Sequence, residues 1–240
     1  MSEVFLEYQE SAAQAIQHIC APLFLKSPVC AFHYQRVYQD GSQAILATHK
    51  EAEIAQLCIP QFLEGQQRYS YIHALDGYDL FVIYEAKLDH FEICAFWMKE
   101  SPHAEGFYIN HLNILERFRL YFFDKARVLM NVLHKKYKNH SWCNLVIRPD
   151  AQNSTQLDPD EFLPEKLHFY VGEKERYITQ KELLCALHLI RGFNNREIAK
   201  ALQISVRTVE KHMDALRTKI SVTNRQQLIE FFLKLGLYRL

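Results

Sequence analysis

TQKELLCALHLIRGFNNREIAKALQISVRTVEKHMDALRTKI, residues 179–220, divides into three helices joined by short turns. Thr179, with Glu182 three places on, makes a capping box. The hydroxyl accepts from a first-turn backbone N–H, and the carboxylate reaches back to the cap's own N–H. The helix continues through LLCALHLIRG and stops at Gly192, a residue free to take the left-handed backbone that closes a helix. Asn194 or Asn195 caps a short second helix, REIAKAL, with Ile198, Ala199 and Leu202 turned inward. Gln203-Ile204 makes the next turn, and Ser205 caps a third helix over 206–220. On that helix Val209, Met213, Leu216 and Ile220 recur at helical spacing, while Arg207, Glu210, Lys211, Asp214 and Arg217 occupy the other side. A fourth helix is expected over 225–234, with Leu228, Ile229 and Phe232 inward and Gly236 ending it.

A short helix, a tight turn and a longer helix with a charged outer face make helix-turn-helix geometry, in which the second helix lies in the major groove of DNA. The residues themselves closely resemble the LuxR-type (FixJ- and NarL-like) helix-turn-helix family. The match runs through Thr179–Glu182, Gly192-Phe-Asn-Asn-Arg-Glu-Ile-Ala199, Leu202, Ile204-Ser205, Thr208-Val209, Lys211, His212, Lys219 and Arg225, and covers about residues 174–240. Ser221 departs from it, because the family usually has glycine there. The resemblance implies a transcription regulator that binds double-stranded DNA as a homodimer, commonly through the fourth helix, and two-fold geometry then favours an inverted-repeat site. Gln226, Gln227, Glu230, Phe231 and Lys234 would form the outer side of that helix.

Chemistry assigns expected roles to the candidate DNA-binding residues. Arg196, Arg207, Thr208, Lys219 and Arg225 suit phosphates, which fix register without reading sequence. Lys211 can donate to guanine O6 or N7, and Glu210 can accept from cytosine N4. Asp214, one turn on, either tunes the same base edge or repels phosphate. Ser205 joins the set as the cap at the start of the helix.

Outward from this region, charge divides the chain. Residues 174–240 hold 13 Lys and Arg against 6 Asp and Glu, whereas residues 1–173 hold 15 against 22. The neutral total thus conceals a basic end, which suggests a polyanionic partner, and an acidic front. Between them RPDAQNSTQLDPDEFLPE, residues 148–165, has three prolines and little periodicity. The expected division is a regulatory α+β domain over 1–147, a linker over 148–173 and the helix-turn-helix domain over 174–240. Leu167, Phe169 and Val171 alternate within that linker like a short docking strand.

The front domain reads as an antiparallel sheet flanked by helices, followed by an all-α, four-helix region. Helices are expected over 3–19, 50–62 and 110–138. Strands are expected over 31–38, 43–48, 69–75, 78–86 and 91–99, with Asp40-Gly41-Ser42 and Asp76-Gly77 as turns. The element order is similar to PAS- or GAF-like sensors. Phe32, Tyr34, Tyr71, Phe81, Tyr84, Phe96 and Trp97 alternate on these strands. They either line a pocket for an apolar small molecule or fill an ordinary core. The Leu and Phe stripe of 110–138 serves either as a dimer spine or as packing against the sheet.

Several classes are disfavoured. There is no aspartate before Asp40, so a phosphoacceptor receiver lacks its acidic pair. The only Asp-Pro, at 158–159, falls in the linker and not in a lactone pocket. With seven glycines, none clustered, there is no phosphate-binding loop, and no H-E-x-x-H or G-x-S-x-G occurs, so no enzyme is expected. Six cysteines without a C-x-x-C pair suggest neither zinc nor disulfides. No cofactor or metal, no membrane span and a cytoplasmic location are the expectations. The functional expectation is a sequence-specific regulator controlled by a ligand or partner at the front domain. The alternative is an adaptor whose front domain docks another regulator while DNA binding is weak or masked.

Overall fold

The computed structural model describes residues 3–48, 68–75, 77–87, 89–136, 140–143 and 157–240. The helix expected over 50–62 and the start of the linker lie outside them, as does Asp76. The chain forms two compact units. The first comprises Met1–Leu112 and Lys125–Leu157, the second Asn113–Asp124 and Asp158–Leu240.

In the first unit α1 (Glu3–Lys26) is followed by β1 (Val29–Tyr38) and β2 (Gln43–Ala47). Ser27 makes the corner: its hydroxyl donates to Leu23 O and accepts from Val29 N. Next come β3 (Tyr69–Leu75), β4 (Tyr78–Ala86), β5 (His90–Lys99) and, after three helices, β6 (His140–Cys143). The sheet order is β3-β4-β5-β1-β2-β6. It is antiparallel except for β6, which joins β2 in parallel. Leu75 pairs with Tyr78, and Gly77 takes φ 81°. Only glycine adopts that backbone without strain, which is why Asp-Gly reads as a hairpin. Alternation gives the sheet two faces. One holds Ala31, Val37, Leu80, Val82, Ile93, Ala95 and Trp97; Phe32, Tyr34, Phe81 and Phe96 point to the other.

The single long helix expected over 110–138 is two, α3 (Leu112–Lys125) and α4 (Arg127–Lys136), and a short helix not expected from the sequence, α2 (Ala104–Asn110), precedes them. The helices α2 and α3 part at His111, whose backbone N–H and ring nitrogen both bond the Phe107 carbonyl, at 3.1 and 2.8 Å, while the two rings stack at 4.4 Å. A side chain that satisfies a terminal carbonyl competes with helix continuation.

The second unit begins with a 3₁₀ turn, Pro159–Phe162, capped by Asp158. A hairpin follows, β7 (Lys166–Val171) and β8 (Lys174–Thr179), turning at Gly172. It precedes the four helices α5 (Gln180–Ile190), α6 (Asn195–Ala201), α7 (Val206–Ile220) and α8 (Arg225–Lys234). The four expected helices are thus preceded by a two-stranded hairpin. Where the sequence suggested a linker, Leu163, Leu167 and Phe169 are buried in one core with Leu183, Leu187, Ile198, Val209, Met213, Leu216, Leu228 and Phe232. No described helix is long and apolar enough to cross a membrane.

Candidate nucleic-acid interface

Local chemistry sets the three-helix stretch. Thr179 and Glu182 form the capping box at α5, and Asn194, not Asn195, forms a second one with Glu197 at α6. Ser205 Oγ accepts Thr208 N at 3.0 Å to start α7. All three helices end alike. Gly192, Gln203 and Ser221 have φ of 89°, 53° and 63°, and the residue after each donates back to the helix carbonyl five positions earlier. This is the Schellman closure. Ser221, where the resemblance would place glycine, adopts the glycine-like backbone all the same.

The caps fix the angle between α6 and α7 and present one face of α7. Val209, Met213, Leu216 and Ile220 are buried, while Arg207, Glu210, Lys211 and Asp214 are exposed on the opposite side. Arg207 to Asp214 spans about 10 Å of helix at 1.5 Å per residue, which fits a major groove about 12 Å wide. Among the described residues Arg207, Glu210, Lys211 and, on α6, Arg196 are exposed without an intramolecular partner. Asp214 pairs with Arg217 at 2.5 Å. The Ser205 and Thr208 hydroxyls lie 2.8 Å apart in the cap.

Two candidates are turned to internal work. The Lys219 ammonium bonds both Glu182 oxygens at 2.9 and 2.6 Å and stands 5.1 Å above the Tyr177 ring. Burial alone would raise the Glu182 carboxyl. Hydrogen bonds from Lys219 and from Thr179 outweigh it and hold the group below its ordinary range. Arg225 donates to Phe193 O and, at 3.4 Å, to Asn195 Oδ1, tying α8 to the turn before α6.

In the first unit the seven aromatic candidates do not share one face. Phe32, Tyr34, Tyr71, Phe81 and Phe96 lie on one side of the sheet, Tyr84 and Trp97 on the other. Period-two alternation sorts them so, because residues paired across strands share a face. Tyr108 of α2 fills the first side, its ring 5.3 Å from Phe81 and its hydroxyl donating towards Phe96 O and Asp79 O. Tyr34 is fully buried and its hydroxyl lies between Arg36 Nε, at 3.0 Å, and Glu92. Although burial opposes ionisation, His90 and Arg36 hold the Glu92 carboxyl at about 2. A cavity of about 330 Å³ opens instead beside a bulge in β1, lined by Pro28, Cys30, Met98, Ser101, His103 and Phe107 among others; none of the seven lines it.

Residues 176–232 match the family described as bacterial regulatory proteins, luxR family. The C-terminal unit carries a LuxR-family domain. The chain is also similar to the oxygen regulatory protein NreC of Staphylococcus aureus, 34% identical over 128 residues, covering 47% of this chain and 59% of that protein. NreC of Staphylococcus epidermidis is 26% identical over 129 residues, with the same shares. The chain spans about three-fifths of the length of the curated relatives it matches. Among solved structures, Escherichia coli SdiA covers 97% of this chain and 98% of its own at 14% identity, with a TM-score of 0.31. The Vibrio cholera VqmA–ligand–DNA complex covers 88% and 57%, also at 14% identity, with a TM-score of 0.27.

Around the LuxR-family domain the structure adds residues that the sequence did not single out. Asn224 caps α8 through Gln227 N at 2.9 Å. Arg176 of β8 donates to Thr218 O near the end of α7. Arg117, far earlier in the chain, bonds Leu240 and Asp160. The Asn-Arg-Gln-Gln pattern could have shown the first; no local pattern signals the others, because their partners are 42 or more residues distant.

Proposed function

We propose that this protein is a sequence-specific, DNA-binding transcription regulator, with α7 of the LuxR-family domain as the helix that enters the major groove. The observation that carries the reading is the exposed row Arg207, Glu210, Lys211 on α7 with Arg196 beside it, none engaged elsewhere among the described residues. Lys211 and Glu210 are assigned to base edges. Arg196 and Arg207 are assigned to phosphates, helped by the positive end of the α7 dipole at Ser205 and Thr208. Asp214 orients Arg217 along the same face. Lys219 and Arg225 are given supporting roles, one bracing α5 against α7 and the other anchoring α8. Residues 174–240 make up the reading head.

Two further parts complete the proposal. The protein acts as a homodimer, supported by Leu233, Leu235 and Tyr238, which are exposed at and beyond the end of α8. Its affinity is set by a ligand or partner acting on the first unit, and the cavity at Cys30 and Phe107 supports a small apolar molecule.

The test is selection of bound duplexes from a random pool by the full chain, followed by anisotropy titration of the recovered sequence. The expected result is one enriched, two-fold symmetric site. Lys211→Ala relaxes preference at one position in each half-site, and Arg196→Ala weakens all duplexes alike. Enrichment of no sequence would refute base reading.

A further inference from the structure

Twelve residues from the front half of the chain, Asn113–Asp124, belong to the unit that holds the LuxR-family domain. They are fastened to it at several points. Arg117 is buried; its Nε and Nη2 donate to Leu240 O at 3.0 and 2.9 Å, and its Nη1 pairs with Asp160 at 2.6 Å. Asp124 Oδ2 accepts Glu165 N at 2.9 Å and Lys166 N at 3.3 Å. Phe118 and Tyr121 meet the Phe162 ring edge-on at 5.6 and 6.0 Å, and Leu120 packs against the domain core. A guanidinium out of water is tolerated when its donors are paired, so this clamp is geometrically specific.

The clamp reaches the α7 helix through packing. Leu240 and Leu237 share one apolar core with Phe232 of α8 and with Leu216 and Ile220 of α7. The clamped residues also lie inside a continuous helix, α3, whose first and last residues, Leu112 and Lys125, belong to the first unit. A helix of this length is stiff, and its two ends are covalently part of the other unit. Displacement of α3 therefore acts on Leu240 and Asp160 directly, independently of the connection through residue 157.

We propose that residues 113–124 are a lever through which the first unit sets the DNA affinity of the LuxR-family domain, with Arg117 as its clamp. The proposal deepens the regulator reading and rests on it for its DNA-binding consequence. Arg117 acts as a positioning residue: it holds Leu240, which packs in one core with α8 and α7.

The test uses the full chain with two variants, Arg117→Gln and Asp160→Asn. The second removes only a surface-exposed carboxylate, so it decides the matter if the first fails to fold. Hydrogen exchange across 206–240, calorimetry and affinity for the selected duplex are measured together. The expected result for Arg117→Gln is faster exchange in α7, α8 and residues 237–240 and an affinity loss of about tenfold, within the usual span of allosteric coupling. Asp160→Asn gives a smaller change in the same direction, and the single melting transition of the parent chain separates into two. Faster exchange with unchanged affinity would make the clamp merely structural and overturn the lever. So would unchanged exchange in both variants, or a parent chain whose units already melt independently. Failure of the parent chain to bind any duplex would instead strike the regulator reading, while exchange and calorimetry still judge the mechanical coupling.

Discussion

Replacing Gln203 by glycine stabilises the C-terminal unit, and the same holds for Ser221. Both residues close helices in the left-handed region, at φ 53° and 63°. An L-residue there brings its Cβ towards the neighbouring carbonyl at a cost of roughly 1–2 kcal/mol. Glycine removes that cost but loses roughly 0.5–1 kcal/mol of chain entropy on folding. The balance is a gain of about 0.5–1 kcal/mol at each site. Gly192 provides the reverse experiment, for it holds φ 89° with no atom within 4 Å of a Cβ built there. Gly192→Ala therefore meets no steric neighbour, and its loss of about 1 kcal/mol is conformational. For a single transition of a chain of this length 1 kcal/mol moves the midpoint by about 2–4 °C. Calorimetry of the full chain, following its melting transition, is the assay. Gln203→Gly and Ser221→Gly should raise that midpoint and Gly192→Ala should lower it. A lower midpoint for both glycine variants, with no change for Gly192→Ala, would refute the assignment of left-handed helix ends.

Three further outcomes follow from named contacts. Lys219→Met leaves the Glu182 carboxylate, buried apart from its cap bonds, without its cation; a loss of about 2 kcal/mol is expected in denaturant titration. Because the Glu182 carboxyl is depressed in the folded state, its contribution is present above the unfolded value and is lost as pH falls through the folded one. Asn194→Ala removes a capping box and should cost about 1 kcal/mol by the same assay. Burial pushes His33 down to about 4, although Gln35 works against the shift. The unfolded chain thus binds the extra proton first, so stability of the first unit falls as pH drops from 6.5. The expected loss is about 2 kcal/mol by pH 5, and His33→Gln should flatten that slope in pH-dependent unfolding.

The helix-turn-helix region was legible because its determinants are local. Thr179 and Glu182, Asn194, Ser205 and the apolar spacing of α7 act within a few residues of where they sit. The sheet strands were legible for the same reason, through alternation and the Asp-Gly turn. What escaped depends on distant partners. β8 has one buried residue, Ile178, so its pairing with β7 leaves little pattern in its own six residues. α3 reads as part of one long helix because its Leu and Phe spacing continues through Leu129 and Leu133; nothing local shows that Arg117 bonds a carbonyl 123 positions later. Charge and the family resemblance suggest Lys219 and Arg225 for phosphate, and neither signal shows the internal partner that the fold gives each. The aromatic strand residues could not be sorted into a pocket or a core, since both uses favour the same side chains.

The central claim is that α7 reads DNA by sequence, with Arg196 and Arg207 on the backbone. Its most direct test is affinity of the full chain for its selected duplex as a function of salt, with the parent chain compared against Lys211→Ala. Two arginines per protomer give four phosphate contacts in a dimer and a log–log slope of about −4, hence roughly a hundredfold loss between 50 and 200 mM salt. Lys211→Ala should keep that slope while lowering the preference for the selected site over a scrambled duplex by about tenfold or more. A flat salt dependence, or a preference that Lys211→Ala leaves intact, would contradict it.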